Sequence, residues 1–407
     1  MKQPGHTHTD LTTALQTLAE FDGNLLDEIR NNDDLRRQAL SSIQKLVPEL
    51  ETPTDTAQRM LYSELEICAA RIGVDLDIFG ILSNSTEALT TDELARRTGI
   101  DPNTHLLARI LRYMASIGMV REVGPGLWAQ KNYGSNLIDK RQSAGVCHAH
   151  DNVLPAYVAL PEFLRKNRYQ LPVSKTDTSF ALGHGSDPTT FFDWLQTHPM
   201  NARYFHEFMA VHRTGDHTWL DDKKAAATVI DHFQKQDSSD AILFVDIGGG
   251  LGHQCKLLQS RYPQLQGRVV LEDLPEVIVK VNPDETSFEK IGMNFFDSQP
   301  LKGAAAYYLR SIFRDWPDES CEIILGHIRD AMQPNSILLI DDLVLPDFQA
   351  HKFETQLDLT MLSMLNGQAR TRGDWEVLLG QSGLVISDII MYEEDAREAI
   401  IIARKCD

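Results

Sequence analysis

A run of apolar residues ending in glycines constrains this chain more than any other segment: Ile242-Leu243-Phe244-Val245-Asp246-Ile247-Gly248-Gly249-Gly250-Leu251-Gly252-His253. An unbroken apolar stretch of this kind reads as a strand covered on both faces, the habit of parallel sheets. The glycines let the backbone turn tightly and leave no Cβ between main chain and ligand. The spacing fits a nicotinamide fingerprint poorly, because His253 stands where a third glycine is needed. Asp273 lies 21 residues after Gly252, at the end of a second apolar run, Arg268-Val269-Val270-Leu271-Glu272. An acid there can accept both ribose hydroxyls of a nucleoside, and Glu272 beside it is the lesser candidate.

Further strands are expected at 305–309 and 336–340 with helices between them, and 384–391 with 399–403 reads as a closing antiparallel hairpin. The expected fold class is therefore α/β, with a Rossmann-like doubly wound sheet over residues 236–407. Three segments precede it. Residues 1–54 carry spaced apolar positions (Leu11, Leu15, Leu18, Leu25, Leu26, Ile29) and read as a helical segment that buries one face. Residues 55–135 show helical patterns at 56–72 and 74–82 and a capping signal from Thr90 to Glu93. A helix through Leu106, Ile110, Leu111 and Met114 follows, then short strands around Gly124-Pro125-Gly126. That order is a mainly α winged-helix module. Residues 136–235 read as a helical, aromatic-rich pocket segment.

With 58 acidic against 39 basic side chains the net charge is −19, which argues against nucleic-acid or anionic-membrane partners. The winged helix is accordingly read as a dimerisation module in a homodimer; a DNA-binding regulator is the weakest reading. No apolar run reaches the length of a membrane helix, and no signal peptide is visible, so a cytoplasmic location is expected. Five scattered cysteines without a CxxC pair suggest neither disulfides nor a metal site.

Several motifs together resemble class I S-adenosylmethionine-dependent O-methyltransferases of the caffeate type, from about residue 55 to the C-terminus. They are Asp246-Ile-Gly-Gly-Gly-Leu-Gly, Leu271-Glu-Asp-Leu-Pro, Asn294-Phe-Phe, Tyr308-Leu-Arg-Ser-Ile-Phe-Arg-Asp-Trp-Pro-Asp and Leu365-Asn-Gly-Gln-Ala-Arg-Thr. The resemblance implies S-adenosylmethionine against Asp246, Gly248, Gly249 and Gly250, with Asp273 on the ribose. It also implies Asn294 and Phe295 near the adenine, and Arg310 near the ribose or methionine end. Asn294 replaces the family's usual aspartate.

The same resemblance implies a general-base histidine directly before the Asp-Trp dipeptide, oriented by two later acids. Here that position is Arg314, which stays protonated and cannot accept a proton. The first acid position is Asp342 and the second is Ala369. Drift after loss of function would explain this, but the cofactor loop is intact and Asp315 still follows Arg314. Arg314-Asp315 in this context resembles the fungal O-methyltransferase-like pericyclases of 2-pyridone alkaloid biosynthesis, the leporin-type cyclases. In those enzymes the cofactor's sulfonium charge assists a pericyclic reaction and no methyl group is transferred. Gly145-Val-Cys-His148-Ala-His-Asp-Asn resembles the stretch bearing their active-site histidine; His148 takes that role, with His150 as the near alternative. The implied substrate is a small polyketide–nonribosomal-peptide-derived pyridone alcohol. It would be dehydrated to a quinone methide and closed by a hetero-Diels–Alder or Alder-ene reaction. Arg314 would polarise an oxygen, Asp315 would hold Arg314, and Phe205, Met209, Met361 and Met364 would line the pocket. An O-methyltransferase acting on a phenolic or pyridone hydroxyl with another base is the alternative.

Overall fold

The computed structural model describes residues 28–212, 218–236, 240–282, 288–393 and 398–406. Leu11, Leu15, Leu18, Leu25 and Leu26 of the N-terminal apolar pattern lie outside the described residues. The chain divides into two compact units, Met1–Ala69 and Ala70–Asp407.

In the first unit the helix Asp33–Leu50 starts at Asn32, whose side chain accepts from the Leu35 N–H. Its apolar residues Leu40, Ile43, Leu46 and Leu50 are exposed. The helix expected at 56–72 is divided into Pro53–Leu61 and Ser63–Asp75. The Ser63 hydroxyl donates to the Met60 carbonyl, offering the chain a local alternative to a continuous helix. The pattern at 74–82 breaks at Asp77, which adopts φ 50° before the helix Ile78–Ser83.

The second unit begins at Ala70, so that it includes Asp77 and Ile78–Ser83, and it carries the winged helix. Helices Thr91–Arg97 and Thr104–Ser116 are followed by strands β2 (Arg121–Gly124) and β3 (Leu127–Ala129); with β1 (Leu89–Thr90) these form a sheet of order β1-β3-β2. Thr90 and Glu93 form the expected capping box. Fully buried Trp128 ties wing to helix by donating from Nε1 to Thr91 Oγ1 (2.9 Å).

The large sheet is built from β4 (Ile242–Ile247), β5 (Arg268–Asp273), β6 (Glu289–Gly292), β7 (Ala306–Arg310), β8 (Ile337–Leu345), β10 (Leu384–Glu393) and β11 (Glu398–Lys405). Its order is β10-β11-β8-β7-β4-β5-β6, and the two-residue β9 (Arg370–Thr371) pairs with β8. Strands β4 to β8 run parallel, while β11 is antiparallel to both β8 and β10. The apolar runs build the core by strict alternation. Phe244, Tyr308 and Leu339 pack on one face, and Val245, Tyr307 and Leu338 on the other, as a pleated strand requires. From β4 the chain builds outward on one side to β5 and β6, then returns to place β7 on the other. This reversal opens a crevice beyond the carboxyl ends of β4 and β7, where open α/β sheets take their ligands.

Candidate active site

The glycine loop leaves β4 at that crevice. Gly248, Gly250 and Gly252 have φ of 69°, 60° and 76°, a region costly for residues with a Cβ. The Gly248 N–H donates to the Glu272 carbonyl (2.7 Å), and the Gly250 N–H donates to Asp273 Oδ2 (2.8 Å). The loop is thereby pinned to the end of β5. Nothing lies within 4 Å of where a Gly250 Cβ would be, so the crest of the loop is open.

Asp273 is part-exposed at the crevice, and its Oδ1 also accepts from the Leu274 N–H (2.7 Å). Glu272 is fully buried and takes the Gln299 amide (2.7 Å), so the two neighbouring acids face opposite ways. Asn294 is exposed and its Oδ1 accepts from the Phe296 N–H (3.0 Å). The Phe295 ring lies 3.7 Å from where a Gly248 Cβ would stand. The crevice therefore offers an open glycine crest, a carboxylate and an aromatic face, a set that fits a nucleoside-bearing ligand. Asp273→Ala should weaken such a ligand by about 10–100-fold, the worth of a hydrogen bond to a charged group. Titration calorimetry with S-adenosylmethionine checks it, and unchanged affinity would remove Asp273 from the site.

Asp246 and Arg310 lie beneath this surface. Asp246 is buried under the loop, and a Cβ on Gly249 would stand 2.4 Å from its carboxyl carbon. Arg310 has Nε and Nη2 turned into the protein, 3.5 Å from Asp341 and 3.6 Å from Glu398 respectively. Asp341 also accepts from Tyr308 and Tyr392.

Burial, the first cause, pushes both Asp246 and Glu272 up to about 7, with the charges of Asp273 and Asp341 adding to the effect at Asp246. In the unfolded chain these acids ionise near their ordinary 3.8 and 4.5. Between those values and about 7 the unfolded state holds fewer protons, so their contribution to stability falls as pH rises and then levels off. Denaturation of the cofactor-free protein between about pH 5 and about pH 8 should show that decline, and Asp246→Asn should flatten it. An unaltered slope in the variant would contradict the assignment.

Arg314 follows β7 on the short turn Phe313–Asp315. Ser311, with φ 57°, kinks the strand end, and its hydroxyl accepts from Arg314 Nη2 (3.1 Å). Arg314 is 4% exposed. Its Nε lies 2.7 Å from Asp342 Oδ1, an ion contact whose N–H points off the line of a directed hydrogen bond. Burial opposes the guanidinium charge, but Asp342 foremost, with Glu398, Asp315 and Asp341, more than offsets it and raises the pKa. Thus Asp342 makes the direct ion contact and Asp315 adds a weaker field. Asp342 Oδ2 is buried without a hydrogen-bond partner.

The 365–371 motif wraps this turn. Arg370 Nη1 donates to the Phe313 carbonyl (2.8 Å), and a Cβ on Gly367 would lie 2.1 Å from the Arg314 carbonyl. Ala369 brings only a methyl group, and its N–H is taken by Asp358 (2.7 Å).

His148 ends the helix Lys140–His148 where one π-helical turn, Ala149–Val153, interrupts the helical run, a feature often found at functional sites. It is nearly buried among Phe191, Phe205 and Phe208, with ring centroids at 6.1, 5.4 and 5.9 Å. His150 instead meets Asp151 (2.6 Å), which is held by Arg71 (3.0 Å). Phe205, Met361 and Met364 belong to the apolar cluster around Phe191, whereas Met209 is 41% exposed. An aromatic series joins the two halves of the site: Phe295 to Trp316 (6.1 Å), Trp316 to Phe192 (6.4 Å), Phe192 to Phe205 (6.3 Å) and Phe205 to His148. Sequence reasoning missed Asn152, whose amide meets His148 Nδ1 (2.8 Å); its i+4 spacing on a helix was the available signal.

The O-methyltransferase domain family profile matches residues 194–385. The chain is similar to the O-methyltransferase ucdC of Aspergillus ustus, at 36% identity over 92% of this chain and 95% of that one. It is also similar to the O-methyltransferase lepI of Aspergillus flavus, at 33% identity over 93% and 96%. Among solved structures, one described as LepI in complex with SAM superposes with TM-score 0.85 at 31% identity, over 98% of this chain and 100% of that one. Another, described as a pericyclic reaction enzyme, gives TM-score 0.86 at 32% identity with the same coverage.

Proposed function

The chain belongs to the O-methyltransferase domain family, and from that premise we propose that it binds S-adenosylmethionine without spending its methyl group. The proposed reaction dehydrates a 2-pyridone alcohol of fungal secondary metabolism to a quinone methide and closes it stereoselectively by a hetero-Diels–Alder or Alder-ene path. The observation that carries the reading is the buried Arg314–Asp342 pair: a permanently charged donor occupies the place where the family resemblance puts a proton acceptor. The similarity to a solved pericyclic reaction enzyme supports the same reading.

The residues divide the work. The crest Gly248 to Gly250, with Asp273, Asn294 and Phe295, holds the nucleoside, while Asp246 and Arg310 support it from below. Bound there, the cofactor supplies a fixed positive charge. His148 donates a hydrogen bond to the leaving hydroxyl; the C–O bond breaks, and the hydroxyl departs as water with the proton that the pyridone hydroxyl gives up. Arg314 Nη1 donates to the resulting carbonyl oxygen and stabilises charge developing on it. Donors so placed are worth about 2.7–4 kcal/mol, roughly 10²–10³ in rate. Asp342 and Asp315 keep the guanidinium in place and charged. The aromatic wall folds the substrate into one reactive conformer. The exposed apolar residues of Asp33–Leu50 support a homodimer.

O-methyl transfer with another base is the second reading, favoured by the names of the methyltransferase relatives. The two separate cleanly on incubation with a racemic 2-pyridone alcohol and S-adenosylmethionine. Cyclised product with the mass of the dehydrated alcohol is expected; a product heavier by one methyl group, with S-adenosylhomocysteine released, would overturn the proposal.

A further inference from the structure

We infer that Asn152 is a positioning residue that fixes His148 as a neutral imidazole protonated on Nε2, so that His148 meets its ligand as a hydrogen-bond donor. The assignment of a catalytic task to that donor rests on the proposed function; the tautomer itself does not.

The Asn201 main-chain carbonyl can only accept, and it lies 3.3 Å from one end of the Asn152 amide. That end is therefore the NH2. The other end, Oδ1, accepts from Asn201 Nδ2 (2.6 Å), in keeping with that orientation. The NH2 group has two protons. One is directed to the Asn201 carbonyl and the other to His148 Nδ1 (2.8 Å). A nitrogen that accepts from an amide carries no proton, so in the neutral ring the proton sits on Nε2. Asn152 is fully buried, and water does not compete for these bonds. Whatever meets Nε2 must then be an acceptor, such as a leaving hydroxyl or a carbonyl oxygen. A base that removes a proton through Nε2 needs the opposite tautomer. The same amide network thus disfavours His148 as the missing methyltransferase base.

Nitrogen-15 NMR of the full-length protein labelled at histidine, with His148→Gln to assign the signal, reads the tautomer without substrate. A pyridine-like Nδ1 and a pyrrole-like Nε2 are expected for His148. A pyrrole-like Nδ1 would overturn the inference. In Asn152→Asp the new carboxylate requires a proton on Nδ1, so the Nδ1 signal should become pyrrole-like. Cyclisation should then slow by at least about tenfold, the usual scale for losing an outer orienting partner. A flipped tautomer with full cyclisation rate would refute the positioning role. Should the aspartate variant not fold, the wild-type spectrum alone still decides. Should the chain prove to cyclise nothing, the tautomer result stands apart from that failure.

Discussion

Removing the guanidinium should lower the proposed cyclisation rate by about 10²–10³, the worth of one preorganised donor aimed at a developing oxyanion. The informative variant is Arg314→Gln combined with Asp342→Asn, because Arg314→Ala alone would strand a buried carboxylate and confuse catalysis with folding. The double variant keeps a polar side chain at both positions and buries no net charge. Affinity for S-adenosylmethionine should stay within about threefold, since Arg314 contacts neither the glycine loop nor Asp273 and only its charge is lost. Steady-state kinetics and calorimetry measure the two quantities separately. A full rate in this variant would remove Arg314 from the chemistry.

The second large effect is on stability. Asp342→Ala leaves a 4%-exposed arginine without its direct counter-ion. Breaking a buried pair from one side costs about 3–5 kcal/mol, whereas replacing both partners by apolar groups of similar volume is often neutral or better. Asp342→Ala should therefore shift the denaturation midpoint strongly, and Arg314→Met with Asp342→Leu should recover most of the loss. Equal destabilisation by the single and the double variants would show that the pair is not coupled in the fold.

The parts of this fold legible in the sequence are those carried by periodicity. The strands Ile242–Ile247, Arg268–Asp273 and Ile337–Leu345 announce themselves as apolar runs because both their faces are covered. The capping box at Thr90 and the closing hairpin were legible for similarly local reasons. Strand β6 was not, because Glu289-Lys290-Ile291-Gly292 is a short edge strand with exposed ends that needs no apolar signature. The break at Tyr62 was hidden because its cause is one serine hydroxyl rather than a proline or glycine.

At the site, the glycine loop and the choice of Asp273 over Glu272 could be read from strand, turn and spacing. The burial of Asp246 under the loop and the turning of Arg310 toward Asp341 and Glu398 were not legible, since only the three-dimensional arrangement shows them. The partnership of Arg314 with Asp342 was equally hidden. It depends on the parallel register that sets Arg310 opposite Asp341, and on the kink at Ser311 that turns the next residues back over β8. The sequence pointed to Asp315, the chain neighbour; the direct contact is with an acid 28 positions away that resemblance assigns to a histidine. On the proposed reading, Asp342 keeps an acid's place while the group it holds is a fixed cation and not a proton acceptor.

That exchange is the centre of the account, and methyl-labelled S-adenosylmethionine tests it most directly. With a racemic 2-pyridone alcohol as substrate, many turnovers of ring closure should leave all of the label in intact cofactor and none in product. Label recovered in the product in proportion to turnover would contradict it.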